Sequence, residues 1–182
     1  FMLVEQTSLK GVLVFTPRLF SDDRGSFFES FNHQKFEESV GQTIDFVQDN
    51  ESISLQHVLR GLHFQNPPYA QGKLVRAIKG AILDVALDIR KNSNTYGQHF
   101  DIVLSETNKT MLWIPPGFAH GFLTLENETI FSYKCTNIYN KLSEDSIFWN
   151  DPSLSIKWGI SNPILSDKDK KENYFKDFVS KF

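Results

Sequence analysis

Val58-Leu-Arg-Gly-Leu-His-Phe-Gln-Asn-Pro-Pro-Tyr-Ala-Gln-Gly-Lys73 places one imidazole, one guanidinium and one ammonium within sixteen residues. Its first half, His57 to Gln65, is apolar enough to read as a strand, and Pro67-Pro68 ends that strand because proline cannot donate to a ladder. Burying a charge without partners is costly. The strand therefore either borders a polar cavity or holds a core histidine bonded to backbone, with Arg60 at the rim. A second cluster, Ile114-Pro-Pro-Gly-Phe-Ala-His-Gly-Phe122, sets His120 after a tight turn. Two histidines in apolar strand settings, with cations close by, favour the cavity. Arg60 and His63 are three apart, so a regular strand would send them to opposite faces. Gly61 as a bulge would re-aim one of them; Arg60 serving a neighbouring subunit is the alternative, and both stay open.

Working outward, Gly11 to Thr16 is a strand closed by Pro17, and Ser21-Asp-Asp-Arg-Gly25 is a turn leading into a strand over Ser26 to Phe31. Asn32 to Val40 has a helix start and Gly41 as its stop. Ile44, Phe46, Gln48 and Asn50 share one face of an alternating segment that passes from apolar to amide, as either a core running into a polar pocket or a strand leaving the protein would. Lys73 to Ile78 and Ala81 to Ile89 read as a hairpin about Lys79-Gly80. Strands over Tyr96 to Leu104, Thr110 to Ile114, Ala119 to Leu125 and Thr129 to Thr136 follow, the last directing the Tyr133 hydroxyl into the interior. A charged C-terminal segment from about Ser166 reads as helical. Nine or ten short strands, few helices, no repeat and no linker predict one all-β domain over residues 1–182, a sandwich or jelly-roll barrel.

Composition narrows the function classes. Forty per cent hydrophobic residues exclude a disordered chain, and a net charge of -3 gives no electrostatic case for nucleic acid or a membrane surface. The seventeen phenylalanines suit a β-rich core. A single cysteine, Cys135, forbids an internal disulfide framework and points to a reducing compartment. With no membrane-length apolar run and no legible signal peptide, a cytoplasmic protein is expected; Phe1, which precedes Met2, is set aside.

The five histidines (His33, His57, His63, His99 and His120) are scattered, with no His-x-His or His-x-x-x-His pair, so no catalytic metal or other cofactor is expected. No serine lies in a glycine elbow, and no phosphate-binding glycine loop is present. Acid–base chemistry remains. Moving a proton beside a carbonyl needs a base poised near neutrality, an acid on the other side and a donor for the enolate. His63 suits the first task, Tyr133 the second, and Lys73 or His120 the third, with Arg24, Arg60 and Lys73 able to hold an anion.

In order along the chain come Asp22-Asp-Arg-Gly25 with Phe28-Glu29, Val47-Gln-Asp-Asn50, Val58 to Gln65 and Ala70-Gln-Gly-Lys-Leu74. Trp113 to Phe122, Tyr133-Lys134, Glu144, Trp149-Asn-Asp151 and Leu165-Ser-Asp-Lys-Asp169 follow. Together these make the chain resemble the dTDP-4-dehydrorhamnose 3,5-epimerases, cupin-fold enzymes of deoxysugar nucleotide synthesis. The resemblance covers nearly the whole chain; only Gly159 to Ile164 is slightly shortened and altered. It implies a cupin-type jelly roll with a few short helices, including a C-terminal one. It implies His63 as base oriented by Asp169, Tyr133 as acid, and Lys73 as the group that stabilises the enolate. Arg24, Glu29, Gln48, Asp49, Asn50, Arg60, His120, Glu144 and Lys168 would contact a dTDP-linked 4-keto-6-deoxy sugar. A homodimer with exchanged N-terminal strands is implied, giving Arg24 and Glu29 a role across the interface. Rivals are an epimerase acting at C3 or C5 alone and a non-catalytic cupin that binds sugar nucleotides.

Overall fold

The computed structural model describes residues 2–182; Phe1 lies outside them. Six strands form one antiparallel sheet, with neighbours in the order β1 (Met2–Gln6), β2 (Leu13–Pro17), β10 (Met111–Ile114), β7 (Lys73–Lys79), β12 (Thr129–Cys135) and β5 (Gln48–Ser54). Five more form a second sheet, in the order β13 (Glu144–Ser146), β6 (Leu59–Gln65), β11 (Phe118–Thr124), β8 (Ala81–Asp88) and β9 (His99–Ser105). A separate two-stranded ribbon, β3 (Phe20–Asp22) and β4 (Gly25–Phe27), is built on the Asp-Asp-Arg-Gly turn. This is the expected jelly roll.

Inward side chains of both sheets meet in a central core, with Val14, Val75, Leu112 and Phe131 from one side and Ile82, Ala86, Phe118 and Phe122 from the other. The outer face of the five-stranded sheet is covered by the C-terminal segment through Trp149, Leu154, Trp158, Phe178 and Phe182. A third cluster covers part of the other sheet. There α1 (His33–Val40) lays Phe36 on Trp113 and Phe15, at ring distances of 5.1 and 5.5 Å. The helix starts where the Asn32 side chain accepts the Lys35 N–H, 3.1 Å, and stops at Gly41, whose φ of 76° suits a left-handed cap.

Three expectations are corrected. The Lys79-Gly80 turn is not a hairpin: β7 already pairs with β10 and β12 on its two edges, so the chain leaves that sheet and β8 enters the other. Gly80 makes the corner at φ +72°, so close to Thr129 that a Cβ would stand 2.6 Å from its hydroxyl. The C-terminal helix is a single 3-10 turn, Phe175–Asp177, later and shorter than the charge pattern indicates. Asp167 through Glu172 are all charged; with no apolar face to pack, a short helix has little to hold it. The strand expected over Ser26 to Phe31 also ends early, at Phe27.

Candidate active site

Where β6 passes β11, His63 is directly opposite His120, whereas Arg60 is opposite Phe122, so three steps on one strand match two on the other. The bulge sits at Gly61, whose φ is +122° and whose Cβ position is 2.5 Å from the Cα of Gly121. It answers the parity question: Arg60 and His63 line the same cavity, of about 360 Å³.

The cavity opens between the sheets. Gln48 and Asn50 enter from β5, Lys73 from β7 and Tyr133 from β12, while Arg60 and His63 enter from β6 and His120 from β11. Glu144 of β13 and the segment carrying Ser166, Lys168 and Asp169 close one side. Nε2 of His63 stands 2.5 Å from Oδ1 of Asp169. The same carboxylate accepts the Gly61 N–H at 3.2 Å and the Ser166 hydroxyl at 2.6 Å. Burial pushes the Asp169 carboxyl up, but the bonds from His63 and Ser166 outweigh it and hold it below its ordinary value. Burial lowers His63 against the opposing pull of Asp169. A neutral imidazole whose Nε2–H donates to a carboxylate keeps a lone pair on Nδ1, which is what a base needs.

On the facing sheet, burial raises Tyr133, so its phenol keeps a proton to give. Burial lowers Lys73, making its ammonium a desolvated donor. Lys168 pairs with Glu144, which also accepts from the Tyr139 hydroxyl at 3.1 Å. Burial raises Glu144, but the Lys168 contacts more than offset this and the carboxyl ends below its ordinary value. Among the described residues, no group of three or more His, Cys, Asp or Glu side chains could hold a metal ion. Among the described residues, no helix is long and apolar enough to cross a membrane.

Three residues assigned to the site from sequence lie away from this cavity. Asp49 alternates with Gln48 and Asn50, so it faces outward and pairs with Lys134 at 3.0 Å. Arg24 pairs with Asp22 at 2.6 Å, its side chain 91% exposed on the ribbon. Glu29 pairs with Lys35 at 2.8 Å. Two residues without a sequence assignment matter here. Gln65 ties both flanking loops to β6, donating to the carbonyls of Tyr69 (2.7 Å) and Ile138 (3.1 Å) and accepting the Asn140 N–H (2.8 Å). Its parity with His63 was the available signal. Asp84, fully buried, lies 2.8 Å from Nε2 of His120. The alternation of β8 disguised it, since an Asp opposed to Leu83 and Val85 reads as solvent-facing.

Comparison with known proteins gives the family and the fold. The family described as dTDP-4-dehydrorhamnose 3,5-epimerase matches residues 6–177. The chain is 53% identical over 176 residues to the dTDP-4-dehydrorhamnose 3,5-epimerase of Shigella flexneri, covering 97% of each chain. Among solved structures, the dTDP-4-dehydrorhamnose 3,5-epimerase of Elizabethkingia anophelis NUHP1 superposes with a TM-score of 0.92 at 48% identity, over 97% of each chain. The dTDP-6-deoxy-D-glucose-3,5-epimerase of Legionella pneumophila Philadelphia 1, in complex with dTDP-4-keto-L-rhamnose, gives 0.89 at 45% identity, covering 93% of this chain and 90% of that one.

Proposed function

The chain belongs to the dTDP-4-dehydrorhamnose 3,5-epimerase family, and from that premise we propose how its cavity works. The protein is an isomerase that inverts C3 and C5 of dTDP-4-keto-6-deoxy-D-glucose to give dTDP-4-keto-L-rhamnose. The C4 ketone acidifies the C–H bonds on both neighbouring carbons, so one base and one acid suffice for both centres. Nδ1 of His63 removes the proton while Asp169 holds the ring and stabilises the imidazolium that forms. The Lys73 ammonium donates to the C4 oxygen as it becomes an enolate. Tyr133 returns a proton from the other face. Arg60 and the amides of Gln48 and Asn50 hold the rest of the substrate, with the guanidinium on the diphosphate.

One observation carries this division of labour: His63 and Tyr133 enter a single cavity from opposite sheets. A planar enolate between them is reached on one face by the imidazole and on the other by the phenol. Arg24 and Glu29, away from their own cavity, complete the site of a second subunit in a homodimer; the exposure of the ribbon that carries Arg24 supports this. The same reading places the enzyme in the cytoplasm, where the buried Cys135 thiol stays reduced.

Incubation with dTDP-4-keto-6-deoxy-D-glucose in deuterated water, followed by proton NMR, tests the assignment. Deuterium at both C3 and C5 with the L-rhamno product is expected. Exchange and inversion at one carbon alone would make the protein a single-centre epimerase, and binding without exchange would refute the catalytic reading.

A further inference from the structure

The chemistry above leaves Asp84 without a task. Its carboxylate is completely buried in β8, with Oδ2 on His120 and Oδ1 lacking a hydrogen-bond partner among the described residues. A core position that served stability alone would do better with an apolar side chain, because an unpaired buried carboxylate oxygen is unfavourable. His120 is the cross-strand partner of His63, and both rings line the cavity. The site therefore holds two adjacent imidazoles, each with Nε2 on a buried carboxylate: Asp169 from the C-terminal segment and Asp84 from the neighbouring strand.

We infer that Asp84 is a positioning residue of the epimerisation, acting through His120. A carboxylate accepts and does not donate, so Asp84 keeps the His120 proton on Nε2 and turns Nδ1 toward the substrate. Phe131 stacks on the same ring at 6.1 Å, leaving rotation about the ring axis as the freedom that Asp84 removes. Asp84 is also among the charges that resist the lowering of Lys73 by burial, so its field supports the donor side of the site. The inference rests on the epimerase reading for its catalytic consequence but not for its structural one.

Two measurements decide it. In ligand-free protein, ¹⁵N shifts of the His120 ring should show a proton on Nε2 in the wild type and a mixture of tautomers in Asp84→Asn. A wild-type ring protonated at Nδ1 alone would overturn the inference, even if the variant does not fold. In turnover, Asp84→Asn should lower kcat about tenfold or more with KM within about threefold, and its thermal midpoint should not fall. In a His120→Ala background the same change should cost less than about twofold. An unchanged kcat, or the full loss repeated without His120, would overturn it. Absence of turnover in the wild type would instead count against the epimerase reading and leave the tautomer result standing.

Discussion

Gly61 and Gly121 touch backbone to backbone where β6 bulges against β11, with the Gly61 Cβ position 2.5 Å from the Gly121 Cα and 2.6 Å from the His120 carbonyl. Both obstacles are main chain, so neither can swing aside. The bulge they permit turns Arg60 and His63 to one cavity. Gly61→Ala should therefore lower stability by about 3 kcal/mol and reduce turnover in whatever folds. Denaturant unfolding checks the first effect; a variant as stable and active as wild type would mean that the bulge does not depend on this contact.

His63→Ala should reduce epimerisation by about 10²–10⁴-fold while leaving the fold intact. Because burial lowers His63, the acid limb of the kcat/KM profile should lie below the ordinary imidazole value of 6.5. The base is active above its pKa, so the limb marks where activity is lost as pH falls. Asp169 opposes the lowering; Asp169→Asn should move the limb lower still and also cut the rate, since the ring loses its support. A limb that moves upward in Asp169→Asn would contradict the pairing.

Asp88 gives a pH-dependent stability of its own. Arg90 grips its two oxygens at 2.9 and 2.7 Å, and the hydroxyls of Ser93 and Thr95 each donate at 2.6 Å. Burial pushes this carboxyl up, but those bonds prevail and bring it from 3.8 to about 2. A depressed folded pKa contributes stability above the unfolded value of about 4 and loses it as pH falls toward 2. Asp88→Asn should cost about 1.5–3 kcal/mol at neutral pH, flatten stability across that window, and leave kcat at 25 °C unchanged. Acid titration of the thermal midpoint, wild type against variant, reads this directly.

Some element positions were legible from local signals. Asn32 and Gly41 bracket α1 through their own backbone preferences, and the alternation from Ile44 to Asn50 leaves open a pocket or an exit from the protein, between which the cavity lined by Gln48 and Asn50 decides. What could not be read is set by partners distant in sequence. Asp84 and Asp88 share a strand face with Ile82 and Ala86, and only the facing six-stranded sheet makes that face an interior. Alternation alone gives two faces without saying that both are covered. Asp49 came from the resemblance, and its parity with Lys134 places it outside. The turn at Gly80 looked like any hairpin because the occupied edges of β7 belong to strands that come much later.

Tyr133→Phe separates acid from base. Deprotonation needs His63, Asp169 and Lys73, none of which the substitution touches, and phenylalanine keeps most of the volume. The variant should wash deuterium into C3 or C5 while making little epimer, as the proton returns from the His63 side. Tyr139, 53% exposed and bonded to Glu144, is the competing donor. Normal inversion by Tyr133→Phe with a dead Tyr139→Phe would transfer the role. Loss of exchange along with inversion in a folded Tyr133→Phe would end the two-face division.

Arg24 is the sharpest test of a shared site. Within its own chain it meets Asp22, two residues away, on a ribbon that joins neither sheet and leaves Phe20 and Phe27 50% and 70% exposed. An arginine of this kind can serve a diphosphate if the ribbon reaches a second subunit, where burial of the two phenylalanines would hold it. Arg24→Ala should then weaken substrate binding, chiefly through the diphosphate rather than the nucleoside. A His63→Ala chain still offers a sound Arg24, and an Arg24→Ala chain a sound His63, so a heterodimer of the two contains one complete site. Random exchange of equal amounts makes about half of the dimers mixed, each with one of two sites intact, and should restore about a quarter of wild-type activity. Subunit exchange is verified by native mass spectrometry of the mixture. Exchange without recovered activity would place Arg24 and His63 in the same chain's site and require the ribbon to fold back onto its own cavity.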